Sequence, residues 1–417
     1  MKSSEMGGGV ALVPKLRFPE FQNSGDWEPK RLGAFFSQRE QVESINLRLL
    51  SLTSKEGVIP QEDSNRKNSS SSDLGKYLRV MPNDIVYNTM RMWEGRSALS
   101  HLEGIVSPAY TVCIPNIDAN STFFSHYFKT PQLIAQFARY SQGLVKDTLN
   151  LKFNSFSRII AVTPAKLLEQ QKIAECLDSM DALVDAQGLK VEALRTQKKG
   201  LMQQLFPQDG ETKPRLRFPE FEGVGEWDER KVGSICDIQR GKFSHRPRND
   251  PAFFGGEYPF IQTGDVVKSA GGAVVGSQSL NDRGLSVSKL FEPTIVLITI
   301  AANIGDTGLL TTAACFTDSV VGLIPRREVI PVFLELIMRG RKDYLNKVAT
   351  TGAQKNINND ILREVDVYLP SVPEQQRISD CLTSLDDVIA AETRKLDRLK
   401  THKKGLMQQL FPQVGEV

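Results

Sequence analysis

Two stretches of the chain carry the same stripe of apolar positions. Between residues 173 and 205, and again between 378 and 410, most positions at alternating steps of four and three are apolar. Such a heptad pattern predicts a long α-helix with one narrow seam for a partner helix. Each helix would extend over roughly 37–40 residues, about 55–60 Å at ~1.5 Å per residue. The stripe consists of Ile173, Leu177, Met180, Val184, Gln187, Val191, Leu194, Lys198, Leu201 and Leu205, and of Ile378, Leu382, Leu385, Ile389, Glu392, Leu396, Leu399, Lys403, Leu406 and Leu410.

Proline residues mark both ends of each predicted helix. Pro164 and Pro373 lie near the two starts, and Phe-Pro pairs at 206–207 and 411–412 close the two ends. Proline cannot continue a helix, so these positions set the bounds. A stripe this narrow needs a partner, and the simplest partner for each helix is the other one. The pattern therefore predicts an intramolecular coiled coil.

Two segments of the chain each occur twice with identical sequence. KKGLMQQLFPQ occupies residues 198–208 and again 403–413, and LRFPEF occupies 16–21 and again 216–221. A period of about 200 residues is far too long for a solenoid and indicates two copies of a domain-sized unit. Related units usually assemble around a two-fold axis. That symmetry predicts antiparallel helices and chain termini close to the junction between units, at residues 208–214.

The remaining stretches predict two heads that differ in sequence. Strand-like and helical segments do not alternate regularly, which favours an α+β fold, with two mixed α/β heads on a pseudo-two-fold pair of helices. We predict a flexible leader at 1–13, a first head at 14–165, a first helix at 166–206, a linker and second head at 207–370, and a second helix at 371–413. Predicted strands are Asp84–Thr89, Ala109–Pro115, Arg158–Val162, Ile295–Ile300, Val320–Ile324 and Val365–Leu369, and predicted short helices are Phe124–Phe128, Gln132–Tyr140 and Pro331–Arg339; residues 62–73 read as a polar loop.

Composition and charge exclude several classes of protein. The 417 residues are 40% hydrophobic and 24% charged, which is ordinary for a globular protein of two to four domains. No apolar run reaches the ~18 residues of a membrane span, and no signal peptide is recognisable, so we expect a cytoplasmic protein. Five cysteines without CxxC spacing predict buried thiols rather than disulfides or a metal site. The formal charge of +3 neither requires nor excludes nucleic acid.

Motifs of the common enzyme classes are missing from the sequence. There is no GxxxxGK[ST] phosphate loop, no HExxH zinc motif, no GxSxG nucleophile turn and no Asn-Pro-Pro-aromatic tetrapeptide of an adenine methyltransferase. We therefore expect no catalytic residues and no cofactor or metal in this chain.

Taken together, these motifs resemble the DNA-specificity subunit of Type I restriction–modification systems. The marks are LPSVPEQQRISDCL at 369–382, its counterpart TPAKLLEQQKIAECL at 163–177, the LRFPEF openings and TGAQKNI at 351–357. The first head departs from the last pattern and has SQGLVK at 141–146 instead.

The resemblance implies a division of labour between subunits. Each head would be a target-recognition domain that reads one half of a split, asymmetric sequence in double-stranded DNA. The helices would hold the heads apart and dock two methyltransferase subunits, which use S-adenosylmethionine, while motor–nuclease subunits use ATP and Mg. This chain would be non-catalytic.

Several polar segments of the heads are candidates for DNA contact, each against a plainer alternative. Arginine and lysine suit phosphates or guanine, and amide side chains suit adenine. The plainer alternative for the basic run at 239–249 is an ordinary surface loop, and for 351–356 it is a simple turn. Residues 261–265 and 302–305 could be loops that follow apolar runs, and Trp93 could be a core residue. The candidates are Arg240, Lys242, His245, Arg246, Arg248, Gln262, Thr263, Asn303, Thr351, Gly352, Gln354, Lys355 and Asn356 in the second head, and Asn88, Arg91, Gln142 and Lys146 in the first.

The identical helix ends are candidates for partner docking. The two helix ends are identical even at glutamines of the type found on surfaces, and a buried seam would not require that identity. The alternative to docking is a copied coiled-coil end that packs only on itself. The docking candidates are Lys198, Lys199, Gln203, Gln204, Lys403, Lys404, Gln408 and Gln409. The leading hypothesis is thus a DNA-reading subunit, and the alternatives are a coiled-coil adaptor with two ligand-binding heads or an enzyme with an unrecognised site.

Overall fold

The computed structural model describes residues 13–42, 47–53, 56–64, 74–208, 210–351 and 357–412. The predicted leader, up to residue 12, and most of the predicted polar loop at 62–73 lie outside these ranges. The chain forms two compact units: unit 1 comprises Met1–Leu189 and Arg394–Val417, and unit 2 comprises Lys190–Thr393. Each long helix therefore contributes one part to each unit.

Unit 1 contains a four-stranded antiparallel sheet with short strand pairs beside it. The sheet order is β2-β9-β6-β7, and β1–β10, β3–β4 and β5–β8 form antiparallel pairs. The strands are β1 Glu28–Arg31, β2 Phe36–Gln38, β3 Leu50–Leu52, β4 Val58–Pro60, β5 Leu78–Val80, β6 Ile85–Asn88, β7 Ser97–Leu99, β8 Gly104–Val106, β9 Tyr110–Pro115 and β10 Ile160–Thr163. The helices are α1 Ser121–Tyr127, α2 Pro131–Tyr140, α3 Phe153–Phe156 and the long α4 Leu167–Leu205, with 3₁₀ turns at Pro19–Phe21, Leu32–Ala34, Gln61–Asp63, Met92–Glu94 and Lys146–Thr148.

Unit 2 contains two four-stranded sheets. The antiparallel sheet has the order β12-β19-β16-β17, and a mixed sheet has the order β14-β13-β18-β15 with β13 and β18 parallel. The strands are β11 Asp228–Lys231, β12 Cys236–Arg240, β13 Phe254–Ile261, β14 Gln278–Leu280, β15 Leu290–Phe291, β16 Ile295–Thr299, β17 Thr307–Leu310, β18 Ala314–Phe316, β19 Val320–Pro325 and β20 Asp366–Leu369, of which β11 pairs with β20. The helices are α5 Val232–Ile235, α6 Thr263–Ser269, α7 Asp282–Ser286, α8 Pro331–Gly340, α9 Lys342–Thr351, α10 Asn359–Arg363 and the long α11 Val372–Leu410, with 3₁₀ turns at Pro219–Phe221 and Pro251–Phe253.

The same cluster of side chains anchors the head in each unit. In unit 1, Arg17 donates two hydrogen bonds of 2.7 Å to the Glu169 carboxylate, which also accepts from Trp27 Nε1 at 3.1 Å. Trp27 packs edge-on against Phe411, 6.4 Å between ring centres. We call Arg17, Trp27, Glu169 and Phe411 joint 1. Glu169 and Trp27 are each 1% exposed, so the carboxylate is paired where an unpaired charge would be costly.

Joint 2 repeats this arrangement in unit 2. Arg217 donates two hydrogen bonds of 2.7 Å to Glu374, Trp227 Nε1 donates to the same carboxylate at 3.3 Å, and Phe206 packs edge-on against Trp227. The hydrogen bond to Glu374 raises the pKa of the Arg217 guanidinium above its usual value. The EQQ and LRFPEF motifs therefore recur because they build one structural contact twice.

The long helices pack antiparallel within each unit. In unit 1, Ile173 and Leu177 near the start of α4 share a core cluster with Leu410 at the end of α11. In unit 2, Leu205 at the end of α4 shares a cluster with Ile378 near the start of α11. The predicted antiparallel helix pair and the α+β class are confirmed.

Polar residues in the predicted stripe pair across the helix contact. In unit 2 the Lys198 ammonium binds Asp386, and Lys190 binds Glu392 at 2.5 Å. In unit 1 the Lys403 ammonium binds Asp181. A charged residue at a seam position fixes the register of a helix pair at some cost in stability, which explains the interrupted stripe.

Most predicted elements of the heads agree with the structure to within about three residues at each end. Several short elements were not predicted. Among them, α6 begins at Thr263, where the sequence predicts a loop, and α9 extends to Thr351, where the sequence predicts a turn. All five cysteines are free, and burial raises the pKa of the Cys236 thiol to about 12. None of the helices in the described ranges is long and apolar enough to cross a membrane.

Candidate nucleic-acid interface

The basic segment of unit 2 lies against the turn that joins β18 to β19. Arg240 ends β12, and its Nε donates to the carbonyl oxygen of Asp318. The next amide groups, of Gly241 and Lys242, donate to Val320 and Phe316 at 3.0 Å each. A Cβ atom at Gly241 would lie 2.2 Å from the carbonyl oxygen of Thr317, so only glycine permits this approach. The local backbone thus holds Arg240 and Lys242 at an exposed edge.

Acidic groups partly neutralise the basic segment. Arg248 Nη2 lies 2.6 Å from Asp318 Oδ2, and Arg246 Nη2 lies 3.6 Å from the same atom. His245 Nε2 lies 3.2 Å from Asp250 Oδ2, and its ring stacks on Phe253 at 3.9 Å. The sequence showed the positive charges but not Asp318, which lies 70 residues beyond Arg248.

Gln262 and Thr263 begin a helix rather than a loop. The Gln262 amide donates to Asp265 Oδ2 at 3.0 Å, and Asp265 also accepts from the Ser277 amide, so a buried carboxylate closes the first turn of α6. This is the capping arrangement that satisfies free amides at a helix start. The Gln262 side chain donates to Gln278 Oε1 at 2.5 Å. Both candidates are half-buried beside the β18–β19 turn.

Asn303 lies in the exposed loop after β16. Its carbonyl oxygen accepts from the Thr299 hydroxyl, and its amide donates to Ala301 at 2.9 Å. Ile300, at the start of this loop, donates to Ser319 and accepts from the Ile357 amide, each at 3.1 Å. Thr351 ends α9, and the candidates Gly352, Gln354, Lys355 and Asn356 lie outside the described residues.

The turn Thr317–Ser319 is therefore the point where the candidate segments of unit 2 converge. Segments 240–242, 261–263 and 300–303 each hydrogen-bond to it or to its flanking residues. Sequence reasoning missed Asp318, because Thr-Asp-Ser between two apolar strands looks like any polar turn. It also missed Lys289, whose Nζ donates to Gln239 Oε1 in β12 at 2.6 Å.

The candidate segments of unit 1 also meet. Asn88 ends β6, and its Oδ1 accepts from the Met90 amide at 3.0 Å. Leu151 donates to Thr89 at 2.8 Å, which ties the segment after α2 to this loop, and Lys146 Nζ lies 6.0 Å from the centre of the Trp93 ring. Arg91 is exposed and forms a loose ion pair of 3.4 Å with Glu94.

A short hairpin presents the second segment of unit 1. Gln142 and Asn150 exchange backbone hydrogen bonds of 2.8 and 2.9 Å. Between them Leu144 is fully exposed and Val145 is 60% exposed, an unusual position for apolar side chains. Gln142 and Lys146 are exposed on the same hairpin. Both heads thus present cations and amides beside aromatic or apolar groups.

The repeated helix ends divide into paired and exposed residues. The ammonium groups of Lys198 and Lys403 bind aspartates inside their own units, and Lys198 is only 8% exposed. Exposed docking candidates are Lys199, Gln203 and Gln204 in unit 2 and Lys404, Gln408 and Gln409 in unit 1. Within the part of the chain that the structure describes, no cluster of three or more His, Cys, Asp or Glu could hold a metal ion.

Comparison with known proteins gives a consistent answer. The family model for the Type I restriction modification DNA specificity domain matches residues 225–401. The Type I restriction enzyme MjaVIII specificity subunit of Methanocaldococcus jannaschii is 22% identical over 431 aligned positions, which cover 95% of this chain and 93% of that protein. Residues 225–401 thus belong to the Type I DNA specificity domain family, and the chain as a whole is similar to Type I specificity subunits.

Further relatives of this specificity subunit agree. The putative MjaX specificity subunit of the same organism is 23% identical over 250 residues, which span 59% of this chain and 57% of that relative. The crystal structure of a Type I S subunit from M. genitalium has a TM-score of 0.60 at 13% identity and covers 97% of this chain and 100% of its own. A chain from a study of Type I complex assembly has a TM-score of 0.57 at 19% identity, with coverages of 93% and 98%. These two structures support the fold.

The family model and the curated relatives also indicate the role of the chain. Specificity subunits are the non-catalytic, DNA-recognising components of Type I systems, and catalysis belongs to other subunits.

Proposed function

We propose that this specificity subunit reads a bipartite, asymmetric DNA sequence, one half through each head. The observation that carries the proposal is that joints 1 and 2 are equivalent while the candidate surfaces differ. Arg240, Lys242 and Arg248 surround the β18–β19 turn of unit 2, whereas Lys146 and Trp93 meet in unit 1. Equivalent anchors with unlike surfaces suit two unlike half-sites on one duplex.

Within each head, charged and amide side chains would contact different parts of the DNA. Exposed arginine and lysine side chains, such as Arg91 and Lys242, would bind phosphates, because such contacts position a protein without reading sequence. Amide side chains such as Gln262, Asn303 and Asn88 would read base edges. Gln354, Lys355 and Asn356 remain sequence-based predictions for the second half-site.

The helix ends would dock two methyltransferase subunits. Lys199, Gln203 and Gln204 in unit 2 match Lys404, Gln408 and Gln409 in unit 1, so two equivalent surfaces could take two copies of one partner. Motor–nuclease subunits would join the same complex. S-adenosylmethionine, ATP and Mg would act in those partners, in the cytoplasm.

Methylome mapping tests the proposal. A host without DNA methylation would express this chain together with its neighbouring methyltransferase, and a second strain would express the methyltransferase alone. We expect a split, asymmetric adenine-methylation motif with a fixed spacer in the first strain and none in the second. Expressed methyltransferase without any motif would contradict the proposal. A gel shift whose affinity is insensitive to salt would then point to an adaptor, because phosphate contacts make DNA binding strongly salt-dependent.

A further inference from the structure

A cavity of about 140 Å³ opens in unit 2 beside the β18–β19 turn. Two aromatic rings, Phe243 and Phe260, form part of its wall and lie 5.2 Å apart between centres. Polar groups complete it, so the cavity combines flat apolar surface with hydrogen-bonding side chains, as small-ligand sites do. The polar lining consists of Arg248, Gln262, Thr263, Thr317, Asp318 and Ser319.

The Asp318 carboxylate has one paired and one unpaired oxygen. Oδ2 accepts from Arg248 Nη2 at 2.6 Å. Oδ1 is buried and has no hydrogen-bond partner among the residues that the structure describes. A buried acceptor without a donor costs free energy, and buried polar atoms without partners are uncommon in folded proteins. The site therefore contains an acceptor suited to a donor from another molecule.

Two exposed arginines, Arg246 and Arg248, form ion pairs with the Asp318 carboxylate. The side chains of Arg246 and Arg248 are 54% and 48% exposed, and ion pairs at such exposure are weak. DNA phosphates accept strong, charge-assisted hydrogen bonds from arginine and would compete with Asp318 for both guanidinium groups. Transfer of Arg248 to a phosphate would uncover Asp318 next to the bound duplex, and the two arginines would offset the repulsion between its carboxylate and the phosphates.

We propose that Asp318 is a specificity-determining residue that accepts a hydrogen bond from an exocyclic amino group of one base, N4 of cytosine or N6 of adenine. This rests on the proposed function, with unit 2 bound to its half-site. An ionised carboxylate only accepts hydrogen bonds. In the major groove guanine and thymine present acceptors, O6 with N7 and O4, which an aspartate repels. At one position on one strand, the second half-site would hence require adenine or cytosine.

Selection of duplexes from a randomised library tests this, with the full chain bound to its methyltransferase partners. The unchanged chain should enrich adenine or cytosine at one position of one half-site, and the enriched base identifies which amino group is read. Asp318→Asn supplies a donor as well as an acceptor, so discrimination against guanine and thymine at that position should fall about tenfold. Asp366→Asn removes another ion-paired carboxylate of the same unit and should leave selectivity unchanged.

A second variant keeps the test decisive if Asp318→Asn does not fold. Arg248→Gln should keep the adenine-or-cytosine requirement but weaken binding to all duplexes and reduce the salt dependence by about one phosphate contact. Loss of that requirement in Arg248→Gln, or unchanged selectivity at every position in a folded Asp318→Asn, would overturn the role of Asp318. If the unchanged chain enriched no sequence at all, the proposed function itself would fail, which is a separate result.

Discussion

Single carboxylates hold the heads on their helices. Glu169 and Glu374 are each 1% exposed, and each binds an arginine through both oxygens and a tryptophan through one. Because the three groups are buried together, loss of the negative charge leaves an arginine without its counter-charge in a dry environment.

We expect Glu169→Gln to lower the free energy of unfolding by about 3 kcal/mol, since it breaks a buried ion pair from one side. Chemical denaturation measures the change. Glu192→Gln on the same helix is the control, because its ion pair with Arg195 is exposed on both sides and contributes little. Equal stability of the two variants would mean that the ion pair does not hold joint 1.

Only some of the residues at the candidate site could be identified from the sequence. Charge runs are visible along the chain, so Arg240, Arg246 and Arg248 were identified as one group. Asp318 could not be, because only the pairing of β12 with β19 brings its turn beside them. Leu144 was likewise unremarkable until the Gln142–Asn150 hairpin exposed it.

The long helices illustrate what periodicity can and cannot reveal at the scale of elements. A heptad stripe over roughly 40 residues is a strong local signal that predicts both helices, whereas the two-fold arrangement of the repeated units predicts their antiparallel pairing. Short helices such as Thr263–Ser269 carry fewer than two turns of pattern and were missed. The strand order that the two heads share, β2-β9-β6-β7 and β12-β19-β16-β17, was invisible because the strands share little sequence.

The adjacent lysines at 198 and 199 are expected to have different roles, Lys198 in packing the helix pair and Lys199 in docking a partner. Lys198→Met replaces a buried ammonium by an apolar chain of similar length and leaves Asp386, which is 46% exposed, to the solvent, so we expect the free energy of unfolding to change by no more than about 1 kcal/mol. Two methyltransferase subunits should still bind. Lys199→Glu reverses an exposed charge and should lower the stoichiometry from two subunits to one, as measured by native mass spectrometry of the purified complex. Loss of a partner in Lys198→Met with none in Lys199→Glu would contradict this division.

At the scale of the whole molecule, segments near the two ends of the sequence meet inside unit 1. The Leu16 amide donates to the carbonyl oxygen of Gln409 at 2.9 Å, and the Leu216 amide donates to Gln204 at the same distance. In unit 2 this hydrogen bond joins two parts of one continuous segment. In unit 1 the equivalent hydrogen bond joins parts of the chain that are far apart in sequence. We therefore expect the direct link around residues 208–214 to be dispensable for this contact.

A circular permutant tests that conclusion. Joining the original termini by a short glycine-serine linker and opening the chain between residues 210 and 214 should leave the thermal midpoint within a few degrees, because these described residues belong to no helix or strand. A matched permutant opened inside Ile295–Thr299 cuts a fully buried strand and should not fold. Failure of the first permutant would show that the covalent link is needed.

The chain contains three tryptophans, and their positions allow intrinsic fluorescence to report on different parts of the molecule. Trp27 and Trp227 are buried in joints 1 and 2, whereas Trp93 is half-buried beside Lys146 in the candidate surface of unit 1. Emission from the first two should shift to the red only when a head detaches or unfolds. Quenching without a red shift on addition of DNA should therefore come from Trp93, so that one spectrum separates ligand contact in the first head from damage to the scaffold.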